Sequence, residues 1–454
     1  MLPLRATNQH IFMMSKPDLL HPEIETLSAA ELRRHQDTAW PRQWEYVRTR
    51  SDFYRRKLAA AVSSALTLDA LQDLPFTDKE EIKDSQATLP PFGDYAACDA
   101  TEIVRLHRTS GTTGRGMNLA YTKHDADLAA RLGGRAMHAA GLRPGDRVVH
   151  CLNYCLWTGG VTDHMILEAA GATVIPFGVG NTAQLIDAIV ELGATAIHCT
   201  PSYPALIEKT LAAEGKLKPR DLGLRLGLFA GEAGLDNPVF RKQLEETWGF
   251  AARNANFGLS EVMSILGSQC EHGNDLHFHA GDAVFVELLD PATLQRLPIA
   301  EGSAGELVCT HLDKRCQPLI RYRTRDAVTV TGTGPCACGR TAWRFRITGR
   351  TDDMFNVRGV NVFPGAVRAV IAERPDLSSG HFRIHLRGPG PYDRIELSVE
   401  AAKDLPAEKW SEAAAALTEA IKRHLRAGAE VRMVGFESLP RTAGKTVWIE
   451  RSAK

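Results

Sequence analysis

Hydrophobic and polar positions change their period several times along this 454-residue chain, and each change predicts a different kind of structure. Residues 28–49 and 52–72 have helical spacing rich in charge, with Trp40, Trp44, Tyr46, Phe53 and Tyr54 placed to pack such helices together. Thr77-Asp78-Lys79-Glu80-Glu81 has the make-up of a capped helix start. Alternation over 103–108, and again over 118–121, predicts two strands with a hairpin tip between them. Helical patterns at 123–140, 161–170, 182–192, 203–214 and 238–248 then alternate with strand-like runs at 147–152, 172–177, 195–200, 224–230 and 251–255. That rhythm predicts an α/β fold: a parallel sheet with helices on both faces and ligands beyond the carboxyl ends of its strands. Shorter strands between 264 and 330, such as 283–289 and 305–310, predict a β-rich subdomain. Near Gly349 the pattern resets to a strand-like run at 355–362, a helix at 364–373, strands at 381–386 and 394–400, a helix at 408–425 and a strand at 430–434. The predicted organisation is a large domain over 1–349 and a small α+β domain over 350–454.

Composition narrows the function classes. Hydrophobic content of 44% and charged content of 24% are those of a globular protein. With 54 basic and 54 acidic side chains there is no electrostatic case for nucleic acid or a membrane surface. The sequence holds no run of eighteen or more apolar residues, so no membrane span is expected. The N-terminus lacks a basic start, an apolar core and a small-residue cleavage site, so no signal peptide is expected. Nine cysteines, an odd number, fit free thiols in a reducing cytoplasm.

The hairpin tip, Thr109-Ser110-Gly111-Thr112-Thr113-Gly114-Arg115-Gly116, holds three glycines and four hydroxyl residues. Glycines let backbone N–H groups close on an anion, hydroxyls add donors, and Arg115 suits phosphate oxygens. It matches neither G-x-x-x-x-G-K-[ST] nor G-x-G-x-x-G, and alone it reads equally well as a flexible turn. Four further stretches follow in order: Asn256-Phe257-Gly258-Leu259-Ser260-Glu261; Pro318-Leu319-Ile320-Arg321-Tyr322-Arg323-Thr324-Arg325-Asp326; Gly349-Arg350-Thr351-Asp352-Asp353-Met354 with Arg358-Gly359-Val360-Asn361-Val362-Phe363-Pro364; and Pro440-Arg441-Thr442-Ala443-Gly444-Lys445. Over almost the whole chain this order resembles the adenylate-forming superfamily of acyl-CoA synthetases. Leu-Ile-Arg-Tyr-Arg-Thr-x-Asp, Arg-Gly-Val-Asn-Val-Phe-Pro, and Trp157-Thr158-Gly159-Gly160 with His164 look most like its phenylacetate–CoA ligase family.

The resemblance implies an ATP-dependent ligase. A carboxylate attacks the α-phosphorus of ATP, and coenzyme A then displaces AMP, the small domain rotating between the steps. It gives Ser110, Gly111, Thr112, Thr113, Gly114 and Arg115 the departing pyrophosphate. Glu261 would hold Mg²⁺, Phe257 would stack on adenine, and Asp326 would accept both ribose hydroxyls. Glu232, Asn256, Gly258 and Ser260 would complete the nucleotide site. Arg350 would contact ribose or phosphates, Asp352 would be the hinge, and Gly359 would pass the pantetheine arm. Lys445 would reach the carboxylate and α-phosphate in the first conformation only. Two details depart from the family: Gly116 stands where it usually has Pro, and Ala230-Gly231-Glu232 permutes its Gly-Ala-Glu.

For the acid, Tyr154, Trp157 and Phe177 offer flat walls, Gly159 and Gly160 offer room for a ring, and His164 and Ala230 lie nearby. A small aromatic acid is the expected substrate. Thr162 and Asp163, if they face that pocket, would favour a hydroxyl- or amino-substituted ring. Cys270, His277, Cys336 and Cys338 make a structural zinc set, with His272 and His279 as competing ligands; the alternative is free turn thiols. Three other readings stay open: transfer to a carrier-protein thiol, an adenylyltransferase, and a non-catalytic binding protein. Family resemblance implies a homodimer.

Overall fold

The computed structural model describes residues 18–59, 67–109, 116–215, 217–232, 234–358, 360–440 and 448–452. The chain enters through helices α1 (Pro22–Glu25), α2 (Ala29–Arg50) and α3 (Asp52–Lys57), followed by α4 (Lys79–Thr88). A capping box between Ser28 and Glu31 starts α2, and another between Asp78 and Glu81 starts α4. Trp40, Trp44 and Tyr54 are buried in the core of this layer, which accounts for the aromatic spacing. The pattern at 52–72 is a short helix followed by a 3₁₀ turn at Asp69–Asp73, with residues 60–66 outside the described set.

Strands β1 (Ile103–Arg108) and β2 (Asn118–Thr122) pair antiparallel, as the alternation predicts. Then come α5 (Lys123–Ala139), β3 (Arg147–His150), α6 (Thr158–Ala169), β4 (Thr173–Pro176), α7 (Thr182–Glu191), β5 (Ala196–Cys199), α8 (Tyr203–Glu214), β6 (Leu226–Phe229), α9 (Pro238–Trp248) and β7 (Ala251–Asn254). The five strands form one parallel sheet in the order β4-β3-β5-β6-β7. Successive side chains alternate faces. Val148, Leu226 and Leu228 meet Ala136 of α5 and Ile166 of α6 on one side. Val149, Ile197 and Phe229 meet Ile189 of α7, Ile207 of α8 and Leu244 of α9 on the other. Helix α6 begins at Thr158, earlier than the pattern suggests, because extended Trp157 caps it and glycines fill its first turn.

The β-rich part is a single eight-stranded sheet, in the order β12-β11-β13-β14-β15-β10-β9-β8. Its strands are β8 (Phe257–Leu259), β9 (Met263–Gln269), β10 (Leu276–Phe278), β11 (Val284–Leu289), β12 (Arg296–Leu297), β13 (Ala304–His311), β14 (Tyr322–Gly332) and β15 (Arg344–Arg350). After β15 the chain builds a separate core. The run 355–362 is a hairpin of β16 (Phe355–Val357) and β17 (Val360–Val362), not one strand. Helices α10 (Pro364–Ala372) and α11 (Trp410–Leu425) cover a four-stranded sheet of β18 (Ser378–Arg387), β19 (Ile395–Ala401), β20 (Ala429–Val434) and β21 (Ile449–Ser452).

Candidate active site

Three stretches that are far apart in sequence converge near Tyr322. Its buried hydroxyl is held well above the ordinary tyrosine range, by burial first and then by the charges of Glu261 and Asp326, which Arg350 opposes. Glu261 lies in the turn between β8 and β9. Gly258 permits that turn: a Cβ there would sit 1.9 Å from the Ser264 carbonyl oxygen. Glu261 Oε1 accepts from Lys79 Nζ at 2.6 Å. Lys79 is fixed as the first residue of α4. Thr77, two residues before it, is pinned by Thr77 N–H to Arg321 O (2.9 Å), Arg323 N–H to Thr77 O (3.0 Å) and Thr77 Oγ1 to Ile320 O (2.7 Å). In the sequence Lys79 reads only as part of a helix start; a cation inside a capped turn carries no further signal.

The arginines of the Arg-Tyr-Arg-Thr-Arg motif are structural. Arg321 makes a buried two-bond pair with Glu287 (3.0 and 3.1 Å), and Arg323 one with Glu306 (3.0 and 2.8 Å). Arg325 pairs with Asp78. This anchoring leaves Asp326 opposite Arg350 in the β14–β15 register. Arg350 donates to Asp326 Oδ1 at 2.9 Å and to both oxygens of Asp352 at 3.0 and 2.9 Å. Burial works against its charge, but these carboxylates push Arg350 above its ordinary pKa.

The residues expected to line the acyl corner lie at the first turn of α6 and the ends of β3, β5 and β6. A Cβ on Gly159 would come 2.9 Å from the Trp157 indole, and one on Gly231 3.3 Å from it. A Cβ on Gly160 would strike the Asn153 carbonyl oxygen at 2.6 Å. The room predicted at Gly159 and Gly160 is therefore filled, by Trp157 and by the 153–154 backbone. The Tyr154 hydroxyl is 2.9 Å from His164 Nδ1, whose Nε2 donates to Glu168 at 3.2 Å. Ala230 is buried at the end of β6, and its N–H bonds Cys199 O at 3.0 Å.

Several expectations change. The Phe257 ring is buried edge-on to Phe345, with centroids 5.2 Å apart, so it is a core contact and not an open platform for adenine. Phe177 packs into the core on the α7–α9 face. Thr162 Oγ1 is bonded to His107 Nε2 at 2.8 Å. Asp163 accepts from Asn256 Nδ2 at 3.0 Å and Ser264 Oγ at 2.5 Å. Both residues hold elements together and do not present open partners to a substrate. Burial raises the Asp163 carboxyl to about 7 against those two hydrogen bonds. Ser260 Oγ is 2.8 Å from Thr158 Oγ1, tying the 256–261 turn to α6. Glu232 lies half-buried in the turn after β6. Ser110, Gly111, Thr112, Thr113, Gly114, Arg115, Gly359 and Lys445 lie outside the described residues.

Between the two cores, Arg368 of α10 donates to Asp236, in the loop after β6, at 2.7 Å. Away from this region the ligand atoms of Cys270, His277, Cys336 and Cys338 lie within 4.8 Å of one another. Cys270 Sγ and Cys336 Sγ are 3.8 Å apart, as are Cys338 Sγ and His277 Nε2. Sulfurs bound tetrahedrally to zinc at about 2.3 Å are separated by about 3.8 Å, so the donor set and its spacing fit that ion. His279 instead bonds Ser268 Oγ at 3.0 Å. The turn carrying these cysteines also holds the N-terminal layer: Arg340 Nε donates to Glu25 at 2.5 Å, and Thr341 N–H bonds Glu25 O at 3.0 Å.

Residues 49–311 match the AMP-binding enzyme family, and residues 359–450 match the AMP-binding enzyme C-terminal domain. The chain is similar to the phenylacetate-coenzyme A ligase of Thermus thermophilus, 36% identical over 390 residues covering 85% of each chain. It is also similar to the one from Pseudomonas putida, 33% identical over 434 residues covering 94% of this chain and 95% of the relative. Among solved structures, 2-hydroxyisobutyryl-CoA ligase in the postadenylation state with 2-HIB-AMP superposes with a TM-score of 0.84 at 29% identity, over 95% of this chain and 92% of that one. The same ligase with 2-HIB-AMP and CoA in the thioesterification state gives 0.68 at 30% identity, with the same coverage. The arrangement of the two cores is thus nearer the first state.

Proposed function

The chain belongs to the AMP-binding enzyme family, in its phenylacetate–CoA ligase branch, and from that premise we propose how its site forms an aryl-CoA thioester. The enzyme is an AMP-forming acid–thiol ligase that works through an acyl-adenylate. The observation that carries the reading is the meeting of Glu261, Asp326 and Arg350 around Tyr322. It supports a nucleotide lying across these three, with Asp326 taking the ribose hydroxyls and Arg350 steadied beside it by Asp352. Glu261 is the residue that would hold Mg²⁺, which when bound neutralises phosphate charge. Lys79, 2.6 Å from it, adds a second cation toward the same phosphates. The acid sits against Trp157 and the first turn of α6, with its carboxylate toward the α-phosphorus.

Residues 110–115 close over the pyrophosphate, and Lys445 comes in with the small domain, whose boundary we place after Gly349. The small domain then turns, bringing Gly359 toward the thiol. Asp352 acts as the hinge because its two bonds to Arg350 must be remade when β15 and β16 change angle. We assign zinc to the Cys270, His277, Cys336 and Cys338 set, where it closes the β-rich sheet and takes no part in chemistry. No helix among the described residues is long and apolar enough to cross a membrane. Free thiols fit a cytoplasmic setting, and the working unit we propose is a homodimer.

The test is AMP release from ATP and Mg²⁺ with a panel of aromatic acids, with and without CoA. CoA-dependent release with one acid is the expected result. Pyrophosphate release without CoA-stimulated AMP release would favour a carrier-protein thiol or an adenylyl acceptor instead.

A further inference from the structure

His198 lies near the carboxyl end of β5 and is completely buried. Its neighbour in the sheet is His150 of β3. His150 Nε2 is 3.0 Å from the Gly160 carbonyl oxygen, which only accepts, so His150 carries its proton on Nε2. Burial pushes His150 down to about 4 and His198 well below the ordinary range, so both rings are neutral. A neutral His150 protonated at Nε2 has a bare Nδ1, and that atom is 2.9 Å from His198 Nδ1. A proton must lie between the two nitrogens, so it belongs to His198 Nδ1. His198 Nε2 is therefore a bare acceptor.

That acceptor is buried and has no hydrogen-bond partner among the described residues. The two rings are nearly coplanar (11°) with centroids 5.0 Å apart, and they meet edge to edge at their Nδ1 atoms. Nε2 of His198 is thereby turned away from β3 and toward β6. There Leu228 is its register partner, and Ala230 follows on the same face. Gly160, held by His150, and Ala230, which precedes the Gly231 that faces the Trp157 indole, belong to the residues expected to line the acyl corner. Three polar neighbours are already engaged: Tyr154 with His164, Asp163 with Asn256 and Ser264, and Thr200 Oγ1 with Ser202 Oγ at 3.3 Å. An apolar ring placed here leaves His198 Nε2 unpaired, whereas a substituent bearing a donor satisfies it.

We propose that His198 Nε2 accepts a hydrogen bond from a hydroxyl or amino group on the acyl part of the substrate, making the preferred acid a donor-substituted aromatic acid. This rests on the ligase reading and names its substrate class.

The experiment compares kcat/KM for CoA-dependent AMP release with phenylacetate, its ring-hydroxy and ring-amino isomers, and the matching ring-methyl isomers, which are close to them in size but lose the donor. In the wild type one donor-bearing isomer should exceed both phenylacetate and its own methyl analogue by about 10- to 100-fold. Hydroxy and amino arms tell which donor is read. In His198→Leu the ratio of donor to methyl analogue should fall to about one. His198→Gln, which keeps an acceptor, should restore part of it. Thermal melts check that each variant is folded, and the wild-type methyl comparison decides even if one is not. Equal use of donor and methyl analogue by the wild type, or a preference that survives in His198→Leu, overturns the inference alone. No AMP release with any acid overturns the ligase reading and the inference with it.

Discussion

Lys79 Nζ stands 2.6 Å from Glu261 Oε1, and the carboxylate is almost buried while the lysine is half in water. A pair this unequal in exposure is poorly explained as a stability device, since exposed ion pairs contribute only about 0–1 kcal/mol. It is better placed to charge-balance a phosphate group. Lys79→Ala should slow acid-dependent ATP–pyrophosphate exchange by about 10²- to 10³-fold, the usual loss for one charge-stabilising donor, while changing stability by under about 1 kcal/mol. An unchanged exchange rate would reduce the pair to a surface bridge.

Lys445 should separate the two half-reactions. Lys445→Ala should abolish acyl-adenylate formation, with a fall of at least about 10²-fold, yet still convert supplied acyl-adenylate and CoA to thioester. Loss of both steps would show that the residue does not leave with the small domain.

The Arg368–Asp236 contact, at 2.7 Å, joins α10 to the large sheet in the present arrangement. Asp236→Lys replaces attraction with repulsion and should bias the protein away from it. Pyrophosphate exchange should drop about 3- to 10-fold, consistent with a partly exposed pair, and small-angle scattering should report a changed small-domain position. An unaltered scattering curve and exchange rate would dismiss the contact as incidental.

Cys336→Ala should remove zinc. Metal analysis should give one zinc per wild-type chain and none in the variant, with a stability loss above about 4 kcal/mol from the opened sheet. Cys155→Ala, which alters an exposed thiol outside the cluster, should keep the metal.

Asp163 predicts a pH effect with a definite sign. Burial raises its carboxyl to about 7, so between the ordinary carboxylate range and pH 7 the folded protein keeps a proton that the unfolded chain has released. Its contribution is fully present below that window and is lost as pH rises through it. Asp163→Asn lacks the titration, so the variant should gain on the wild type by up to about 1.4 kcal/mol per pH unit from 4 to 7. Melting curves across that range check it; parallel curves would refute it.

Much of this was legible in the sequence. The alternation of periods revealed the parallel sheet and its helical layers because each strand and helix buries one patterned face. The Cys and His positions picked out the four residues that the fold brings together, because ligand chemistry is written in residue types. Lys79, His150 and His198 were not legible. Each depends on a partner from another strand or helix, and the direction of a ring nitrogen has no sequence signature. Phe257 and Gly160 misled for a related reason: a motif names the residue, while packing decides whether its ring or its backbone meets the ligand.

Glu25 and Arg340, joined at 2.5 Å, are 315 positions apart, and Cys270 waits 66 positions for Cys336. On a ribosome the first helical layer is therefore made long before the turn that fastens it. The parallel sheet can close as it emerges, but the amino-terminal layer and the β-rich sheet cannot lock until about residue 341 is clear of the exit tunnel. Nascent chains halted short of that point should be protease-sensitive at their beginning, with completion of the large domain timed by translation of its last hairpin.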